Sequence, residues 1–246
     1  MTAARPFFQD YWESSRAPRY SLIFVLPLVI AYEVLATMLS RGAGGLRNGA
    51  DVILRSLFQN VLGERGPLIL GTLLVAVCVF LFQRDLRAKG GDLRGRILLL
   101  MAAEAAVVAA LFGIVVGVVT SRVLNPLAPL ALAPQHALSL SEGLMVSLGA
   151  GVYEELLFRA ILVSALAFFF GRVLGWSKTH ASIVSVIAAA TVFSLFHYVG
   201  PMGDQFRMQS FVFRMIAGVF FSALYVLRGF GITAWTHALY DVYLLV

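Results

Sequence analysis

Three carboxylates, two histidines and an arginine stand in stretches otherwise apolar enough to cross a membrane. They are Glu154, Glu155 and Arg159 in GVYEELLFRAIL (151–162), His197 in VFSLFHYVG, and His237 with Asp241 in THALYDVYLL. An Asp, Arg or Lys at the centre of a membrane helix costs roughly 2.5–3.5 kcal/mol on insertion scales, so such groups need partners or a task. On a helix, Glu155 and Arg159 stand at i and i+4 with the acid on the N-terminal side, the favoured order for a mutual ion pair. Glu154 is left over, turned about 100° from its neighbour, and must find a proton, a cation, water or a hydrogen bond on another helix. Taken singly, His197 reads equally as an interfacial histidine, and His237 with Asp241, again i and i+4, as a pair that satisfies itself. Brought together by a bundle, Glu154, His197, His237 and Asp241 supply a general base, a partner that orients water, and donors or ligands beside them. That is the set needed to hydrolyse an amide.

The elements that must position these residues are membrane helices. Hydrophobic residues make up 60% of the 246 and charged ones 13%, and the mean hydropathy is +0.87, far from the balance of a soluble domain. The expected fold is all-α, a polytopic transmembrane bundle of about seven to eight helices. Apolar runs begin near Tyr20 and at roughly 67–83, 97–120, 142–171, 180–199, 209–228 and 231–246, each near the ~20 residues that cross a bilayer. The run at 142–171 reads as one tilted helix or as a helix broken near Gly149 and Gly151, whose small size admits a close neighbour. Between the first two runs, DVILRSLFQNVLGER has apolar residues at helical spacing, fitting either an interfacial helix or a buried contact. Residues 1–140 read as N-terminal spans with that helix, and 141–246 as a catalytic core.

Of the 19 basic residues only Lys89 and Lys178 are lysine, which leaves 17 arginines; with abundant Ala, Gly, Val and Leu this points to a GC-rich bacterial genome and an inner-membrane address. The net charge of +6 sits mostly in connecting loops, where it sets topology and meets anionic lipid, so no nucleic-acid partner is expected. The loop QRDLRAKGGDLRGR holds five Lys/Arg and is expected on the cytoplasmic side with the N-terminus, whereas Arg41, Arg47, Arg55 and Arg65 then lie outside against the rule. The first run lacks a small-residue cleavage site before RGAGGLRNG and reads as an uncleaved span. Cys78 is the single cysteine, so neither an internal disulfide nor a thiolate metal cage can form.

The ordered trio E-E-x-x-x-R at Glu154, Glu155 and Arg159, F-x-x-x-H at Phe193 and His197, and H-x-x-x-D at His237 and Asp241 resembles the CPBP intramembrane protease family. That family includes CAAX prenyl-protein endopeptidases and bacterial Abi-type proteins. The resemblance covers about residues 142–246, and it departs from the family at Asp241, where Asn is frequent. It implies that Glu154 activates a water together with His197, and that His237 and position 241 lie across the site, binding the oxyanion or completing a metal site. Glu155 and Arg159 fit a supporting pair. Asp241 can donate only as a carboxylic acid; otherwise it serves as a ligand. Two His with one or two carboxylates suit Zn²⁺, and the resemblance also admits a metal-free glutamate mechanism, so the cofactor is none or one divalent metal such as Zn²⁺.

Other intramembrane protease chemistries lack their residues. There is no H-E-x-x-H and no G-x-S-x-G around Ser147. Tyr240 and Asp241 spell a YD, but the nearest partner, PMGD at 201–204, lies on the wrong side in chain order for a presenilin-like site. The expected function is therefore an intramembrane endopeptidase acting on a membrane-anchored protein or peptide, either CAAX-type or a bacterial sorting or processing protease. Its rival is a non-enzymatic membrane immunity or scaffold protein of the Abi type. A small transporter using Glu154 in a proton relay is a further rival, without the repeated broken helices that such folds show. Glu33 and Glu104 are expected to pair with an arginine such as Arg214, Tyr153 and Tyr198 to pack or anchor, Trp176 and Trp235 to sit at the interface, and Thr233 to cap the last helix.

Overall fold

The computed structural model describes residues 6–39, 46–124, 138–200 and 203–245. Arg5, Arg41, the stretch 125–137 and the first half of PMGD lie outside the described residues. The order is α1 (Phe7–Ser15), α2 (Pro18–Leu39), α3 (Gly49–Leu62), α4 (Gly66–Lys89), α5 (Gly95–Leu124), α6 (Leu140–Gly149), a π-helical stretch (Ala150–Val163), α7 (Ser164–Phe168), a π turn (Phe169–Val173), α8 (Lys178–Phe196), α9 (Met208–Arg228) and α10 (Phe230–Tyr243). The described residues contain no strand, and the fold is the all-α polytopic bundle expected.

Six stretches are long and apolar enough to cross a membrane: Pro18–Leu39, Gly49–Ala88, Gly95–Leu124, Leu140–Val173, Lys178–Phe196 and Met208–Arg228. The seventh expected span, α10, has 14 residues, about 21 Å of helix against a hydrocarbon core of about 30 Å. It is enclosed by protein instead, packing against α2, α5, α6, α9 and the π stretch. Outward faces carry side chains such as Leu68, Val75, Leu99, Ile114 and Val123, which suits contact with lipid.

Glycines allow the close approaches that place α10. Gly229, at φ +81°, ends α9 in a conformation that side chains other than glycine rarely adopt, letting the chain turn directly into α10. A Cβ on Gly151 would lie 2.3 Å from the Ala234 carbonyl oxygen, and one on Gly231 would lie 2.9 Å from Ser21 Cα. The small residues around 149–151 therefore admit a neighbouring backbone, as expected.

The helix beginning at Leu140 runs on without a break but widens at Ala150 into i→i+5 winding, a feature found mostly at functional sites. Its start is a capping box, with Ser139 and Glu142 bonding each other's backbone groups. α3 combines the two expected readings: Ala50, Asp51 and Leu54 are buried, while Val52, Ile53, Leu57 and Val61 face outward. Tyr32, Leu54, Met145, Tyr153, Ala234 and Ala238 belong to one apolar cluster that joins α2, α3, α6, the π stretch and α10.

Buried charges find partners. Arg228 pairs with Glu104 through Nε, and its second nitrogen donates to Ser15 at 3.0 Å. Glu33 takes Arg47 at 3.2 Å and Arg55 at 3.0 Å. Both acids thus pair with arginines, but not with Arg214, which pairs with Asp204 and lies over the Tyr198 ring. Trp235 also differs from expectation: it is held inside the bundle by a 2.6 Å bond from Nε1 to the Phe24 carbonyl. Thr233 does not cap α10; its hydroxyl bonds back to the Gly229 carbonyl one turn earlier. Trp176 remains exposed, stacked on Phe170.

Candidate active site

Glu154 and Glu155 project from the π stretch, His197 follows the last turn of α8, and His237 and Asp241 lie on α10. Glu154 is 6% exposed and His237 5% exposed, while His197 and Asp241 are only partly buried. The cluster therefore reaches the surface of the bundle on the side of His197 and Asp241. Two neighbouring carboxylates on one helix have separate environments.

Glu155 is fully buried and forms a compact unit with a guanidinium and an imidazole. Its Oε1 lies 3.0 Å from Arg159 NH1, the i,i+4 pair expected from spacing, and 2.6 Å from His237 Nδ1, which spacing did not reveal. The Arg159 guanidinium is 4.3 Å from the Phe193 ring centre and 5.3 Å from that of Phe221, so aromatic faces complete its surroundings where water cannot. Phe221 also stacks on the His237 ring at 4.3 Å. A carboxylate accepts from Nδ1, so Glu155 and Phe221 together set the tautomer and plane of His237 and leave Nε2 free.

Glu154 is held differently. Its Oε1 accepts from Asn48 Nδ2 at 2.9 Å, and His197, His237 and Arg159 act on it electrostatically. His197 Nδ1 stands 2.8 Å from the Phe193 carbonyl. A carbonyl only accepts, so the proton sits on Nδ1, and Nε2 of the neutral ring is an acceptor. His197, His237 and Glu154 interact with one another, and the Phe193 ring touches both imidazoles, at 4.9 Å from His197 and 6.1 Å from His237. The short, internal α10 brings His237 beside the end of α8, removing the difference in depth that a full seventh span would impose.

Asp241 Oδ2 is 3.7 Å from His237 Nε2, longer than a hydrogen bond. The two are not the self-satisfied pair that i,i+4 spacing allows. Asp241 also interacts with Glu154, Glu155 and Arg214. Among the described residues no group of three or more His, Cys, Asp or Glu side chains is drawn together as a metal ion would require. The residues do not fit a resident metal, and no step below passes through one.

Tyr153 donates its hydroxyl to Glu33 at 2.7 Å rather than to Glu154 or His197. Tyr198 packs against Arg214 and Phe206. Asn48 and Arg214 are the neighbours of the site that sequence reasoning did not place there. The signal for Asn48 is an N-cap residue followed by an acid in the first turn, which marks a helix start but not where the amide points.

With this geometry in place, residues 136–243 match the family model described as Type II CAAX prenyl endopeptidase Rce1-like. No curated protein and no solved structure matches the chain. The matched segment contains Glu154, Glu155, Arg159, His197, His237 and Asp241; Asn48 lies outside it.

Proposed function

We propose, from the match of residues 136–243 to the model described as Type II CAAX prenyl endopeptidase Rce1-like, that the protein hydrolyses a peptide bond of a membrane-tethered protein or peptide, using Glu154 as general base on water. The observation that carries this reading is the arrangement of Glu154: one carboxylate oxygen is held by Asn48 and the other takes no hydrogen bond from the described residues, with a histidine acting on the group whose Nε2 is an acceptor.

Water between Glu154 and His197 loses a proton to the carboxylate as its oxygen attacks the scissile carbonyl carbon. The carbonyl π electrons move onto oxygen, and the resulting oxyanion needs donors in place before the reaction. His237 Nε2, aimed by Glu155 and Phe221, serves there when the ring is protonated. Asp241 serves as a second donor in its acid form. Collapse of the intermediate re-forms the carbonyl and breaks the C–N bond, and the proton taken from water passes from Glu154 to the leaving nitrogen. Glu155 and Arg159 touch no reacting atom in this scheme; they fix His237.

The family supports a prenylated C-terminal segment as one substrate class. The arginine-rich, lysine-poor composition supports a bacterial inner membrane as the address, and with it a sorting signal or leader of a membrane-anchored precursor as the substrate. Single turnover in ¹⁸O-labelled water tests the chemistry. One ¹⁸O atom is expected in the new carboxyl terminus and none in the Glu154 side chain; label in Glu154 means an acyl-enzyme and overturns the general-base role.

A further inference from the structure

Glu154 belongs to the segment that matches the family, but the group that aims it does not. Asn48 is 2% exposed and closes the N-terminus of α3, where its Oδ1 accepts from the Ala50 N–H at 2.9 Å. Its main-chain N–H donates to the Tyr32 hydroxyl at 3.2 Å. That hydroxyl in turn donates to Asp51 Oδ2 at 2.8 Å. Asp51, fully buried, takes Arg47 NH1 and Arg55 Nε at 2.6 Å each.

The orientation of the amide follows from this frame. Because Oδ1 is occupied by a backbone donor, Nδ2 must face the Glu154 carboxylate, and the flipped amide would set oxygen against oxygen. Two glycines seal the contact: a Cβ on Gly149 would lie 2.6 Å from Asn48 Cβ and 2.6 Å from Tyr32 Cε2, and one on Gly49 would lie 2.8 Å from Phe196 Cζ. Asn48 and Gly49 are thereby pressed against Gly149 at the end of α6 and Phe196 at the end of α8, next to His197.

We infer that Asn48 is the positioning residue of Glu154, a part of the active site supplied from the N-terminal part of the chain. It fixes Oε1 with a hydrogen bond and leaves Oε2, which takes no hydrogen bond from the described residues, to serve the water. The inference rests on the reading of Glu154 as the base. A cap-only role makes a different prediction, because Asp and Ser close helix N-termini as well as Asn does. Asn48→Ser keeps the cap but its side chain does not reach Glu154; Asn48→Asp keeps the cap and replaces the donor with a like charge.

The test uses the full-length protein in detergent with an internally quenched, lipid-anchored peptide spanning a cleavage site that disappears from cells carrying Glu154→Gln. Rates are expressed per folded molecule. For both Asn48 variants kcat is expected to fall about 100-fold, the scale of loss when a reacting group is misplaced by about 1 Å, with KM unchanged. Wild-type kcat in either folded variant beside an inactive Glu154→Gln overturns the inference and leaves the base in place. Loss that tracks the loss of folded protein in both variants overturns it equally, since the role is then structural. Cleavage by Glu154→Gln itself overturns the reading of the base on which the inference stands.

Discussion

Glu155 Oε1 lies 2.6 Å from His237 Nδ1, so the second carboxylate of the E-E pair acts on the histidine of a different helix. The same oxygen holds Arg159 at 3.0 Å, and Glu155 therefore stands between a fully buried cation and the proposed oxyanion donor. Its neighbour Glu154 touches neither group by hydrogen bond and is held by Asn48 instead. In the proposed mechanism the adjacent acids thus divide the work, one fixing structure and one facing the reaction.

Removing Glu155 should cost folding. Glu155→Ala leaves Arg159 buried without its counter-charge, a loss of about 3–5 kcal/mol for such pairs. The yield of folded protein after detergent extraction and its midpoint of thermal unfolding are expected to fall together. A variant that folds as well as wild type contradicts the assignment of the pair as a structural unit.

His197→Ala is expected to behave in the opposite way. The ring lies partly open at the end of α8 and, among the described residues, bonds the Phe193 carbonyl alone, so truncation strands no charge. Cleavage should fall by about 10²–10⁴-fold, the usual contribution of an acid–base partner, with the unfolding midpoint within a few degrees of wild type. Size-exclusion behaviour and cleavage of the same sample decide it.

The approach of α10 to the π stretch offers a test of packing. Gly151→Val places methyl groups where the Ala234 carbonyl oxygen already lies 2.3 Å from an added Cβ. Overpacking of this kind costs about 1–3 kcal/mol and moves His237 away from Glu155. Stability and cleavage should both drop, unlike His197→Ala, which affects chiefly cleavage.

What was legible in the sequence divides along physical lines. Hydrophobic length gives membrane helices directly, and i,i+4 spacing gives Glu155 with Arg159, because both depend on one segment alone. The bond from Glu155 to His237, the aim of Asn48 at Glu154 and the enclosure of α10 depend on which helices meet, and no local period carries that. Glu104 and Glu33 show the same limit: burial of an acid announces that an arginine is near, yet Arg228, Arg47 and Arg55 were chosen by packing, not by hydropathy. The widening of the helix at Ala150 also escapes a pattern read at 3.6 residues per turn.

Glu104 provides a control remote from the chemistry. Its carboxylate bonds Arg228 and the Tyr11 hydroxyl. Glu104→Ala should lower stability by about 1.5–3 kcal/mol, the range for hydrogen bonds to a charged group, while the folded fraction cleaves at the wild-type rate. A folded but inactive Glu104→Ala would show that the site extends to that end of the bundle.

The central claim, that Glu154 activates the water that cuts a membrane-tethered chain, is tested most directly by comparing protein termini in cells carrying wild type and Glu154→Gln at matched levels of folded protein. Gln keeps the size of the side chain and an oxygen for Asn48 but cannot take a proton. The account predicts that a defined set of processed termini on membrane or exported proteins disappears with this single change. Identical termini in the two strains would contradict it and leave the buried charges to architecture alone.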